Sequence, residues 1–146
     1  MQPAGISLSF LLLVVLETSN FQSCVARDTI TSNSLLPGDG TTIISAGKGF
    51  ELGFFDPEDN INTGRYVGIW YYNLSPRTVV WIANRDEPLL YVPGYFAIVE
   101  DGNLKLLDEK GSSYFQTNLE SSSPVNRTLK LLDSGNLALI DGTSGN

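Results

Sequence analysis

A chain of 146 residues, 42% of them hydrophobic, can bury one sizeable core and is too short for two ordinary domains. Its net charge of -7, with no basic run, excludes the electrostatic footprint of a nucleic-acid binder. The lack of any histidine excludes a Ser-His-Asp triad and a His-ligated metal site.

In chain order, the first element is "ISLSFLLLVVL" from Ile6 to Leu16, an apolar run of signal-peptide length that is too short to span a bilayer. Cys24-Val25-Ala26 then places small residues at the two positions a signal peptidase reads, which predicts a signal peptide over 1–26 and cleavage after Ala26. A buried core helix is the alternative reading of the same run. Cleavage would remove Cys24, the single cysteine, so the mature domain, 27–146, is expected to be secreted without a thiol and to rest on burial and strand pairing. No second long apolar stretch follows, and no membrane segment is expected in the mature chain.

Beyond Arg27, short runs rich in Val, Ile, Tyr, Phe, Trp and Leu alternate with clusters of Gly, Asn, Asp, Pro and Ser, which is the pattern of an all-β fold. Strands are expected over residues 41–45, 50–55, 66–72, 78–83, 95–99, 104–107, 113–117, 128–132 and 137–140. Trp70 and Trp81 sit within such runs, where core packing is favoured over an exposed sugar-stacking platform. One unit is written twice: "DGNLKLLD" at 101–108 and "SGNLALID" at 134–141. In each, Gly followed by Asn suits a tight hairpin reversal, and the leucines at alternate positions suit a core face. Strand, turn and strand used twice predict a sheet assembly with internal pseudo-symmetry, such as a prism or propeller.

These residues also carry a family likeness. "GFELGFFDPEDNINTGRYVGIWYYNLSPRTVVWIANRDEPL" (Gly49 to Leu89), followed by the two repeats, closely resembles the extracellular bulb-type lectin domain of plant S-domain receptor-like kinases and S-locus glycoproteins. The resemblance implies a β-prism in which three four-stranded antiparallel sheets enclose one core about a pseudo-threefold axis, and it covers essentially all of 27–146. It also implies a place at the outer end of a receptor whose kinase domain this chain lacks, and a chain that stops before the prism's last strand.

Bulb lectins hold mannose with a strand motif, Gln-x-Asp-x-Asn-x-Val-x-Tyr. By resemblance, the first repeat sets Val99, Asp101, Asn103, Lys105 and Leu107 in its five positions, and the second sets Leu132, Ser134, Asn136, Ala138 and Ile140. A third unit is expected near "SAGKGFELGFF" at 45–55. None is intact, so Asp101, Asn103 and Asn136 are the candidate carbohydrate-binding residues. Asp-Gly-Asn is equally ordinary turn chemistry, and a purely structural role stays open.

No catalytic residue, cofactor or metal is expected. The function expected is an extracellular recognition module with degraded mannose motifs, its partner a glycan or an extracellular protein or peptide, and a dimer stays open. The alternatives are a secreted lectin that does bind mannose or other glycans, and a truncated product without function. Asn73-Leu74-Ser75 and Asn126-Arg127-Thr128 are candidate glycosylation sites.

Overall fold

The computed structural model describes residues 27–57, 64–90, 93–120 and 126–142; the expected signal segment and its cleavage point lie outside them. Among the described residues there are eleven strands and no helix. They are β1 (Thr29–Thr31), β2 (Leu35–Pro37), β3 (Ile43–Ile44), β4 (Phe50–Phe55), β5 (Tyr66–Tyr71), β6 (Val79–Ile82), β7 (Gly94–Ile98), β8 (Leu104–Asp108), β9 (Ser113–Gln116), β10 (Arg127–Leu131) and β11 (Leu137–Asp141).

The strands form three antiparallel sheets, ordered β3-β4-β5-β6, β2-β7-β8-β9 and β1-β10-β11. The first two carry the expected four strands; the third has three among the described residues. The sheets nest along the chain. β3 to β6 are consecutive, β2 reaches over all four of them to pair with β7, and β1 reaches over everything between to pair with β10.

The sequence reading placed no strand at β1 or β2 and overextended β3. These three are the outermost strands of their sheets, and each brings one fully buried side chain to the core: Ile30, Leu36 and Ile43. One inward residue among Thr, Ser, Asn, Pro and Gly leaves too little alternation to read, and pairing with distant strands makes these segments extended.

Register aligns the sheets residue by residue. Ile43, Leu52, Ile69 and Trp81 form one row across the first sheet. Leu36, Phe96, Leu106 and Phe115 form the same row in the second, and Ile30, Leu129 and Leu139 form it in the third. These rows point inward and supply much of the single apolar core. The symmetry extends to irregularities: the β5–β6 ladder shifts between Ile69 and Trp70, and the β8–β9 ladder shifts between the equivalent Leu106 and Leu107.

The two repeats make the same turn. Val99 N–H donates to Asn103 O and Leu132 N–H to Asn136 O, both at 2.9 Å. Gly102 and Gly135 take φ of 79° and 84° at the same place. That left-handed backbone is open to glycine without strain, so the Gly-Asn signature reads as turn geometry.

Candidate functional site

The first repeat places its candidate residues in one hydrogen-bonded cluster at the β7–β8 turn. Asp101 Oδ1 accepts the Asn103 backbone N–H at 2.8 Å, and Asp101 Oδ2 lies 3.3 Å from Lys105 Nζ. The Asn103 N–H, with Lys105 behind it, holds the Asp101 carboxyl below its ordinary pKa. Half of the Asp101 side chain stays exposed, so this ion pair is open to solvent and to a ligand.

Asn103 is spent differently. Buried at 8% exposure, its Oδ1 accepts the Thr117 hydroxyl at 2.9 Å and the Leu119 N–H at 2.8 Å. Its Nδ2 donates to Leu119 O at 3.4 Å. The carboxamide therefore ties the segment after β9 to the start of β8, where Thr117 also bonds the Leu104 backbone in both directions. With both lone pairs of Oδ1 engaged, the acceptor side of Asn103 has nothing left for a sugar hydroxyl.

Asn136 is exposed at the equivalent place in the other hairpin, on a different sheet from Asp101 and Asn103. It receives no acidic neighbour at the motif's Asp position, which Ser134 fills; Ser134 Oγ accepts the Asn136 backbone N–H at 3.4 Å.

The third station is not where the sequence reading sought it. The 45–55 segment ends in β4, the first strand of its hairpin, whereas the motif belongs on the second strand. Since Ile69 is the counterpart of Leu106, the places of Asn103, Lys105 and Leu107 fall to Tyr66, Gly68 and Trp70 on β5. The β4–β5 connection is longer than the other two turns and lacks Gly-Asn, so the repeat was invisible there.

Among the described residues of that station, Gly68 offers no side chain and Trp70 is already committed. Trp70 is only 6% exposed: its Nε1 donates to Glu51 Oε2 at 2.9 Å, and the Arg77 guanidinium lies 4.8 Å above its ring. The ring is sealed into the sheet face, as Trp81 is packed against the core. Among the described residues no cluster of three or more His, Cys, Asp or Glu could hold a metal, and no helix is long and apolar enough to cross a membrane.

Residues 78–146 match the family model described as D-mannose binding lectin. The chain carries a bulb-type lectin domain. The lectin domain's curated relatives are plant receptor kinases: one G-type lectin S-receptor-like serine/threonine-protein kinase of Arabidopsis thaliana is 48% identical over 122 residues, which is 81% of this chain and 14% of the kinase. The Arabidopsis thaliana kinase RKS1, of the same description, is 42% identical over 129 residues, 86% of this chain and 15% of its own length. The chain thus spans about one seventh of the relatives it matches.

Among solved structures, a lectin from Allium sativum aligns with a TM-score of 0.60 at 16% identity, covering 82% of this chain and 99% of that one. The mannose-specific agglutinin of snowdrop, Galanthus nivalis, solved with methyl-α-D-mannoside, aligns at 0.59 and 13% identity, covering 82% and 93%. At those identities the likeness establishes the bulb-lectin prism.

Proposed function

We propose that this lectin domain is an extracellular recognition module, the ectodomain portion of an S-domain receptor-like kinase, whose ligand is not held by the mannose motif of bulb lectins. The observation that carries the reading is the engagement of Asn103. The one polar residue kept in both repeats is, in the first, bonded inward at Oδ1 and Nδ2. In the second it lacks the acidic neighbour, and the third station offers Tyr66, Gly68 and a covered Trp70. Receptor-kinase relatives support the extracellular placement.

A glycan ligand of another kind has one favourable feature, the half-exposed Asp101 beside Lys105. A carboxylate in the turn and an ammonium on β8 beside it can share a sugar's hydroxyls. Titration of the secreted protein with methyl-α-D-mannoside, followed by amide NMR, is expected to leave Asp101, Asn103 and Asn136 unshifted at millimolar sugar. Saturable shifts at those three residues would reinstate the mannose lectin. A glycan array then separates another carbohydrate from a protein or peptide ligand.

A further inference from the structure

We propose that the domain holds its own carbohydrate: the first N-acetylglucosamine of a glycan on Asn126 lies in the groove along the outer face of β7, against Tyr95 and Ala97. The proposal rests on the extracellular reading, because such a glycan is attached in the secretory pathway. Transfer from a lipid-linked oligosaccharide diphosphate forms the bond from sugar C1 to Asn126 Nδ2, breaks the C1–O bond to the diphosphate and releases one Nδ2 proton.

The groove and the attachment point coincide. Asn126 stands on the wall of a groove of about 630 Å³ that Ser32, Asn33, Tyr95, Ala97 and Glu100 also line. Strand alternation makes its floor: Phe96 and Ile98 point into the core at 0% and 4% exposure, so Tyr95 and Ala97 take the outer side of β7. Ala97 places only a methyl there, which leaves room above the strand for a small group.

The root of the glycan is fixed relative to that floor. Asn126 O accepts the Gly142 N–H at 2.5 Å. Arg127, next in the chain, is buried, and its guanidinium donates to Asp141 Oδ1 at 2.6 Å and to Gly102 O at 3.0 Å. The bond to Gly102 ties the sequon to the β7–β8 turn, and so to the strand beneath the groove. Asn126 Oδ1 accepts the Ser32 hydroxyl at 3.3 Å, which orients the carboxamide. Glycosylation at Nδ2 leaves Oδ1 an acceptor, so this bond survives attachment.

The lining suits an N-acetyl sugar. The partly buried Tyr95 ring offers an apolar surface to a pyranose face, and Ala97 offers one to the acetyl methyl. The exposed side chains of Asn33 and Glu100 can pair the acetamide and hydroxyl groups that such contact takes out of water. A shallow contact of this kind is weak alone, but a short tether supplies an effective concentration of roughly millimolar order and keeps it filled. Because Glu100 adjoins Asp101, the held sugar borders the first-repeat cluster.

The test uses the isotope-labelled protein secreted from its full coding sequence by plant cells that make only high-mannose glycans, trimmed by an endoglycosidase to one N-acetylglucosamine on Asn126. Nuclear Overhauser effects are expected from the acetyl methyl to the Tyr95 ring and the Ala97 methyl. Asn126→Gln should lower the melting temperature by roughly 4 °C in the Tyr95 protein and leave it unmoved in Tyr95→Ala. Equal drops in both backgrounds, or an acetyl methyl that contacts only its own sugar, would overturn the proposal. Secreted protein with Asn126 bare overturns it while the extracellular reading stands; protein that stays in the cytosol overturns both.

Discussion

Trp81 meets Phe115 edge to face across two sheets, with ring centroids 6.0 Å apart and planes at 88°. Both rings come from fourth-place strands, so the contact is made by symmetry-equivalent residues and joins two sheets that share no ladder. Phe115→Ala is expected to cost about 3 kcal/mol, and Trp81→Ala a similar amount. Because edge-to-face pairs carry energy beyond buried area, the double variant should fall short of the sum by about 1 kcal/mol. A double-mutant cycle in urea measures this; strictly additive losses would show that the pair is simple packing.

Asn103→Ala should destabilise the domain by about 2 kcal/mol, because it leaves the Leu119 N–H and the Thr117 hydroxyl without their acceptor. Asn103→Asp keeps that acceptor and should lose less. Equal losses from the two variants would mean that the Nδ2 bond to Leu119 O, at 3.4 Å, matters more than its length suggests.

Acid should weaken the fold through Asp108. Burial alone would raise its pKa, but the Ser112 N–H at 2.8 Å, the Lys110 N–H at 2.9 Å and the Tyr114 hydroxyl at 3.3 Å hold it below the ordinary 3.8. The unfolded chain takes up this proton near 3.8 and the folded chain only at lower pH. The stabilisation is therefore complete above that value and is lost as pH falls through the folded pKa. Asp101, also lowered, adds to the same limb. Asp108→Asn should flatten the acid limb of a denaturant-midpoint profile, and an unchanged slope would remove Asp108 as its source. At the other end, burial and then the Asp108 charge raise Tyr114 above 10.0. Ultraviolet titration should find its ionisation delayed, and Asp108→Asn should bring it forward.

Two glycines with nearly the same backbone should respond unequally to alanine. Gly111 and Gly135 have φ of 85° and 84°, but a Cβ at Gly111 meets open space whereas one at Gly135 meets the Phe50 ring at 2.8 Å. Gly111→Ala should cost about 1 kcal/mol for the left-handed backbone alone. Gly135→Ala should cost about 3 kcal/mol, because packed ring atoms must also move. Thermal melts of the two variants rank them directly.

Of the two sequons, Asn126-Arg127-Thr128 should be occupied and Asn73-Leu74-Ser75 bare, since Pro76 follows the latter and Thr is the stronger acceptor context. Both asparagines are exposed, so accessibility does not separate them. Glycopeptide mapping of secreted protein checks the ranking, and a glycan on Asn73 with none on Asn126 would reverse it.

What could be read in the sequence divides along physical lines. Strands such as β5 and β6 announce themselves by dense β-formers bounded by turn residues, and the Gly-Asn turns by backbone demands that few residues meet. β1 and β2 are extended because Ile30 and Leu36 meet Leu129 and Phe96, partners far away in the chain that leave no local trace. At the candidate site, residue identity was legible but commitment was not. Nothing near Asn103 reveals that Thr117 and Leu119 claim its carboxamide, and no motif marks Tyr66 and Trp70 as the third station, because only register makes them equivalent.

The nesting of the sheets sets an order of assembly during synthesis. The β3-β4-β5-β6 sheet can close once residue 82 has left the ribosome, the β2-β7-β8-β9 sheet once residue 116 has, and β1 finds no partner until β10 emerges with residues 127–131. The first strand to be made is thus among the last to be placed, and until then its core-facing side chain, Ile30, is unburied. Each closure spans a longer stretch of chain than the one before, so the entropy of bringing ends together is met in steps, with a finished sheet as the template for the next. Agents that bind extended apolar segments on nascent chains have their longest opportunity at residues 29–31, and release there is the event that lets the third sheet form.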